Sequence, residues 1–196
     1  MRRLTMTEAL RVYFLGFYAV SVIILLVRVL PAAARATPER RVEGLRRYLP
    51  WVFLPVDFLV PPILILLRAG EIQVEWLGVR LSGLILSLYA AGMLLWAAAT
   101  MGRLLVPQAI VSHDHALVTL GPYRFLRHPT YSGDLALWLA SALGTVNVLL
   151  LVLWPIIVIG VSIEARLEEQ LLESKFGDAY RNYSRRVRRF VPTLRG

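Results

Sequence analysis

Apolar residues in this chain gather into long blocks, and the polar residues fall between them. A helix needs about 20 apolar residues to cross the hydrocarbon core of a bilayer. Blocks at roughly 9–30, 50–68 and 77–100 meet that length. Two more apolar runs follow a polar stretch, at roughly 130–145 and 148–172, separated by Gly144, Thr145 and Asn147. Their spacing predicts a helical hairpin. The first arm has about 16 residues, near 24 Å at 1.5 Å per residue, so it crosses incompletely or relies on thinned bilayer. Trp154-Pro155 falls early in the second arm and predicts a bend or a delayed helix start. The expected fold is all-α, a polytopic membrane helix bundle of about five transmembrane helices, or four plus a re-entrant arm. It divides into 1–102, with three N-terminal spans, and 103–196, with the polar loop, the hairpin and cytosolic C-terminal helices.

Composition agrees with a bilayer as solvent: 57% of residues are hydrophobic and the mean hydropathy is +0.60, too apolar for an ordinary soluble fold. The first block is long enough to span and shows no small-residue cleavage site, so it reads as a permanent helix rather than a signal peptide. The formal charge of +9 does not point to nucleic acid, because the positive residues lie between the apolar runs and in the tail. Anionic lipid headgroups fit that distribution better. Arg35, Arg40, Arg41, Arg46 and Arg47 place the first loop in the cytoplasm by the positive-inside rule. Alternation then puts 68–80 outside, where Arg68 and Arg80 balance Glu71 and Glu75, and returns the polar stretch and the tail to the cytoplasm. Arg2 and Arg3 run against this orientation. The absence of cysteine excludes disulfides, thiolate nucleophiles, iron–sulfur clusters and cysteine-ligated zinc.

All three histidines lie between positions 113 and 128. Gly121-Pro122 is a turn signal, and Pro129 keeps His128 out of the helical region while suiting the first position of a new helix. Arg127 and His128 are therefore expected at a helix N-terminus. Unpaired N–H groups and the helix dipole favour an anion there, and Arg127 can add a two-pronged contact to a carboxylate or phosphate. Tyr123 and Tyr131 flank this place, and interfacial anchoring is the simpler role for them. His113-Asp114-His115 carries metal-type donors, but alternate residues hold a metal well mainly on a strand, and only His128 remains to extend the set. No metal site is expected; a hydrogen-bonding His115 beside an organic ligand is the better reading.

The last long helix is apolar through Val161 and then becomes charged. Glu164 and Glu168 share a face, which costs stability unless Arg166, Arg127 or a ligand ammonium lies beside them. Glu169 and Glu173 repeat the spacing one residue round, where solvent is the simpler partner. Carboxylates this close to a membrane boundary nonetheless favour a functional role. Phe176-Gly177-Asp178 reads as a helix stop, with Gly177 in a left-handed cap and Asp178 capping the next helix. On that short helix Tyr180, Tyr183 and Val187 share one face and arginines occupy the others, the pattern of a helix lying on anionic lipid.

With these residues in view, the second half of the chain resembles the isoprenylcysteine carboxyl methyltransferase family and its relatives among the phospholipid methyltransferases. The likeness rests on His115 with Leu117-Val118, Gly121-Pro122-Tyr123, and Arg127-His128-Pro129 with Tyr131 and Gly133. It continues through Asn147, Glu168-Glu169, Phe176-Gly177, and Tyr180 with Tyr183. It implies a membrane enzyme that binds S-adenosylmethionine in a cytosolic pocket. His115, Leu117, Val118, Gly121, Tyr123, Arg127, His128, Tyr131, Glu168 and Glu169 would be its cofactor-binding residues. Arg127 would meet the cofactor carboxylate and Glu168 its ammonium, while Leu117 and Val118 line an adenosine slot. The implied catalytic residues are Arg127, His128 and Glu168, and His128 or Glu168 would deprotonate an amine acceptor. A lipid-like or small apolar acceptor would enter sideways from the bilayer. Eukaryotic members commonly show an arginine where Glu164 stands, which shifts weight from prenylcysteine toward a phospholipid amine or another small apolar acceptor. NADPH-dependent sterol reductases look similar over the same region, and a non-enzymatic membrane adaptor working through the basic tail is a further alternative.

Overall fold

The computed structural model describes residues 5–31, 38–41, 49–102, 110–112 and 117–192. Helix α1 (Met6–Ile24) opens with a capping box, in which the Thr5 hydroxyl accepts from the Glu8 amide and the Glu8 carboxylate accepts from the Thr5 amide. It continues into a π-helical turn, Leu25–Val29. Helices α2 (Leu49–Leu66), α3 (Leu77–Met101), α4 (Pro129–Thr145) and α5 (Val148–Phe176) follow, and the short α6 (Asp178–Arg186) closes the series. Helix α5 starts at Val148 and runs through Pro155, so the delayed start is not realised. Asn147 is the reason: its side chain caps the first turn by accepting from the Leu150 amide.

Met6–Val27, Leu77–Met101 and Val148–Phe176 are each long and apolar enough to cross a membrane, and Val52–Leu66 adds a shorter apolar helix. The protein is an integral membrane protein. Outward-facing Leu26, Ile85, Leu88, Leu95, Val152 and Ile159 are exposed, as lipid contact requires. The helical bundle also carries one element absent from the all-α expectation. Strand β1 (Pro38–Arg41) pairs antiparallel with β2 (Ile110–Ser112), tying the loop after α1 to the loop after α3.

Helix α4 is the centre of the bundle. Leu135, Ala136, Leu137, Trp138, Ala140, Ser141 and Ala142 are all buried, although they point in every direction around its axis. A helix apolar on all sides belongs inside other helices. Helices α1, α2, α3 and α5 all pack against it, most extensively α3. This resolves the short hairpin arm, because a helix wrapped in protein need not match the bilayer thickness. Small residues permit the close approach: a Cβ at Gly83 would overlap the backbone of Gly144 and the Ala140 carbonyl, and one at Gly144 would strike the Phe14 ring.

The bundle has two different ends. At one, the buried carboxylate of Glu71 receives both contacts of Arg11 from α1, at 2.7 and 2.6 Å. Glu71 therefore pairs across the bundle instead of with the nearby Arg68 or Arg80. Arg80 turns inward to the carbonyls of Gly144 and Val74. Asn147 joins the same end by donating to the Ala69 carbonyl. The opposite end carries the strand pair, the polar stretch, α6 and the tail. Replacing Gly83 by alanine is expected to cost about 1–3 kcal/mol through overpacking, read as a lower melting temperature in detergent. Gly78→Ala, where a Cβ meets nothing within 4 Å, leaves that temperature unchanged.

Candidate active site at the helix exits

The polar stretch returns to the bundle through a 3-10 turn, Gly121–Arg124. Gly121 has a φ of +59°, and a Cβ there would overlap the Thr100 hydroxyl at the end of α3. Both facts demand glycine. Beyond the turn the chain is held by the C-terminal tail, whose backbone runs parallel to it. The Arg127 amide donates to the Arg188 carbonyl at 2.8 Å, and the His128 amide to that of Arg189 at 3.1 Å. One turn into α4, the Ser132 hydroxyl donates to the Phe190 carbonyl at 2.9 Å and lies 2.9 Å from the Tyr89 hydroxyl of α3. Pro129 begins α4 with His128 at its N-cap position.

His128 is buried between two carboxylates of α5. Its Nδ1 lies 3.4 Å from Glu168 Oε2, and its Nε2 lies 3.1 Å from Glu169 Oε1. A neutral imidazole has one N–H, so only the protonated ring can donate to both. Burial opposes that charge, but hydrogen bonds and attraction from Glu168 and Glu169 outweigh it and hold the His128 pKa above the ordinary histidine value. The ring stacks on Tyr131 at 5.5 Å between centroids and meets Phe190 in a tilted contact at 6.0 Å.

The adjacent glutamates differ sharply in their surroundings. Glu169 accepts two bonds from Arg189, at 2.9 and 2.6 Å, and has Arg127 Nη2 at 3.3 Å as well as His128. Glu168 accepts from the Tyr131 hydroxyl at 2.6 Å and faces His128. Its side chain is 26% exposed, against 11% for Glu169, so Glu168 is the carboxylate with room for a further partner. Nearby, Arg127 Nε is buried without a hydrogen-bond acceptor. Tyr183 donates to the Tyr123 carbonyl at 2.7 Å and so seats α6 under the turn. Burial pushes the phenols of Tyr123, Tyr180 and Tyr183 up, leaving them as neutral hydroxyls.

Arg127, His128, Tyr131, Glu168 and Glu169, separated by up to 42 positions in sequence, thus meet in one network. Tyr123 lies buried in the adjoining layer, Leu117 and Val118 are half-buried in the segment leading to the turn, and Gly121 faces α3. His113, Asp114 and His115 lie outside the described residues. Several local expectations change. Glu169 is paired inside the protein rather than solvated, because the tail brings Arg189 back to it. Tyr123 and Tyr131 are packed in the site instead of anchoring at an interface. The aromatic face of α6 covers protein, with Tyr180 3% and Tyr183 8% exposed, while Arg185 and Arg186 remain outward. Asp178 is not a cap; it lies in the first turn of α6 and pairs with Arg181 at 2.8 Å. The residues overlooked in the sequence are Arg189, Phe190, Ser132 and Tyr89. Arg189 stood in a run of arginines with no local mark to separate it from its neighbours.

A helical membrane bundle with a buried network of opposite charges at the ends of its last helices defines the class of protein. Residues 79–179, more than half of the chain, match the phospholipid methyltransferase family model, and the chain belongs to that family. It is 40% identical over 90 residues to the protein-S-isoprenylcysteine O-methyltransferase of Schizosaccharomyces pombe, covering 41% of this chain and 35% of the relative. It is 40% identical over 73 residues to the methanethiol S-methyltransferase of Pseudomonas deceptionensis, covering 37% and 27%. The chain thus matches well under half the length of these curated relatives. Its fold is similar to that of a solved eukaryotic intramembrane Ras methyltransferase, isoprenylcysteine carboxyl methyltransferase, with a TM-score of 0.56 and 22% identity over 95% of this chain and 69% of the other.

Two measurements probe the network. Because the folded pKa of His128 is raised, its contribution to stability is fully present below the unfolded pKa, about 6.5, and is lost as pH rises through the folded value. The melting temperature should therefore fall on going from neutral to alkaline pH, and His128→Gln should flatten that dependence. Arg189→Ala removes the bidentate partner of Glu169 but leaves Arg127 and His128 beside it, so it is expected to cost about 1–2 kcal/mol, less than the loss of every cation, read by thermal unfolding in detergent.

Proposed function

We propose that the protein is an S-adenosylmethionine-dependent methyltransferase acting on a lipid-like or small apolar acceptor that enters from the bilayer. The observation that carries this reading is that one network holds a partly exposed carboxylate, Glu168, and a buried Arg127 Nε with no acceptor, the Arg127 guanidinium reaching the adjacent Glu169. The amino-acid end of the cofactor carries an ammonium and a carboxylate, and these two groups answer that need. Membership of the phospholipid methyltransferase family supports the same activity.

When bound, the cofactor supplies a methyl group already activated by its sulfonium. The residues of this chain then have to bind, orient and exclude water. Glu168, with one oxygen held by the Tyr131 hydroxyl, would receive the ammonium, and Arg127 would meet the carboxylate. Leu117 and Val118 would line the adenosine slot, with Gly121 and Tyr123 beside them in the chain. Glu169, saturated by Arg189 and His128, holds Arg127 and His128 in place. This end of the bundle faces the cytoplasm, in keeping with the arginines of the first loop and the tail. The outward Arg185 and Arg186 meet anionic headgroups there.

Calorimetry on the detergent-purified protein tests the reading. S-adenosylmethionine should bind, and Glu168→Ala and Arg127→Ala should each weaken it by about tenfold or more, or about 1.4 kcal/mol. Binding of NADPH in its place would transfer the protein to the reductase reading, and folded protein that binds neither would leave no enzyme reading standing.

A further inference from the structure

The two oxygens of Glu169 are contested unequally. Oε1 has three nitrogens beside it: Arg189 Nε at 2.9 Å, His128 Nε2 at 3.1 Å and Arg127 Nη2 at 3.3 Å. Oε2 is met by Arg189 Nη2 at 2.6 Å. An ionised carboxylate oxygen offers two lone pairs, so three donors on Oε1 cannot all be well served. Arg127 holds the longest of the three contacts. Arg189 meanwhile lies fork to fork on the carboxylate, a two-pronged pairing stronger than a single contact, and it occupies the edge that a second guanidinium would need.

Backbone contacts deliver Arg189 to that place. Its carbonyl accepts from the His128 amide and the Arg188 carbonyl from the Arg127 amide, so the tail runs beside the very residues whose side chains share Glu169. One residue on, the Phe190 carbonyl accepts from Ser132 and the Phe190 ring meets His128. The Arg189 side chain approaches from the more open side, 32% exposed against 15% for Arg127. Its removal would strip Oε2 of that donor and free a place on Oε1. A buried carboxylate short of cations draws one in, because leaving it bare is more costly than moving a side chain. Arg127, with one Nη at 3.3 Å and a buried Nε that finds no acceptor among the described residues, is the guanidinium at hand. A full pairing with Glu169 would consume the fork that the ligand carboxylate needs.

We propose that Arg189 is a positioning residue of the cofactor site: by filling Glu169 from the tail, it keeps Arg127 from closing onto that carboxylate and leaves the Arg127 fork for the anionic end of the ligand. The proposal rests on the methyltransferase reading above. In this role Arg189 touches neither the ligand nor the reacting atoms and acts through Glu169 and Arg127. It also fixes which of the adjacent glutamates is the receptor, since Glu169 is filled while Glu168 keeps an exposed edge. The affinity for a ligand without an anionic end is then indifferent to Arg189.

Calorimetry with two probes tests this: S-adenosylmethionine, and its decarboxylated form, which keeps the ammonium and the sulfonium but lacks the carboxylate. Arg189→Ala should weaken S-adenosylmethionine by about tenfold, the size of one charged hydrogen-bonded contact, and leave the decarboxylated probe within about twofold of wild type. General damage to the site would move both probes alike. Adding Glu169→Gln to Arg189→Ala removes the charge that captures Arg127, and should return most of the lost affinity. Arg189→Lys keeps the cation but cannot bridge both oxygens, so it should fall between wild type and Arg189→Ala; it also serves where the alanine variant folds poorly. In an Arg127→Ala background, Arg189→Ala should cause no further loss. Equal losses on the two probes, unchanged S-adenosylmethionine affinity in Arg189→Ala, or no recovery with Glu169→Gln would each overturn the proposal. Losses that add in Arg127→Ala with Arg189→Ala would make Arg189 a direct ligand contact and overturn it as well. Wild-type protein that binds neither probe would instead remove the reading on which it rests.

Discussion

Two neighbouring glutamates leave the bilayer on one helix, and the need to neutralise them organises this end of the protein. Glu168 and Glu169 are adjacent in sequence, so they point about 100° apart around α5 and cannot share one partner equally. His128 is placed where it can face both, and the two carboxylates outweigh its burial and hold its pKa above the ordinary histidine value. Arg189 then closes on Glu169 from the tail. Once these contacts form, the tail is bound along residues 126–128, α6 is seated on the turn, and the N-terminus of α4 is fastened to the exit of α5. A buried carboxylate whose cation is removed is costly, of order 3–5 kcal/mol. The charge pairing is therefore a constraint on the fold as well as a feature of the site.

The bundle places that constraint at a defined depth. Helix α4 begins with the cationic pair Arg127-His128 just before Pro129, and its centre is enclosed by α1, α2, α3 and α5. Gly83 and Gly144 let α3 and α4 approach until their backbones meet. The far end is locked by Arg11 on Glu71 and by Asn147 on the 67–71 turn. With both ends of α4 held, its first turn is a rigid platform. Rigid support of this kind sets the precision with which two reactants can be aligned.

Within the site, the unequal solvation of like residues separates their roles. Glu169 has its lone pairs filled by Arg189 and His128 and acts as scaffold. Glu168 has an exposed edge and serves as a receptor for a cationic group. Glu164, one turn earlier, is buried with one oxygen that finds no donor among the described residues. Three carboxylates within six positions of one helix thus differ only in what the other elements bring against them.

The apolar blocks, the hairpin around Gly144 to Asn147, the helix start at Pro129 and the stop at Gly177 are all properties of short stretches of chain. Periodicity, helix caps and the conformational limits of proline and glycine act over a few residues, so the sequence by itself determined the helices and the membrane setting. The partners of the charges were a different matter. Nothing near Glu71 distinguishes Arg11 from Arg68 or Arg80, and nothing in the tail distinguishes Arg189 from Arg188 or Arg186. The aromatic face of α6 suits lipid as well as it suits protein until the turn at Gly121 is set beneath it. The short β1–β2 pair has no periodic signature at all. These choices depend on which helix faces meet across separations of tens of residues, and only the tertiary structure decides that, because the energy of a buried charge is set by what is packed against it and not by what precedes it in the chain.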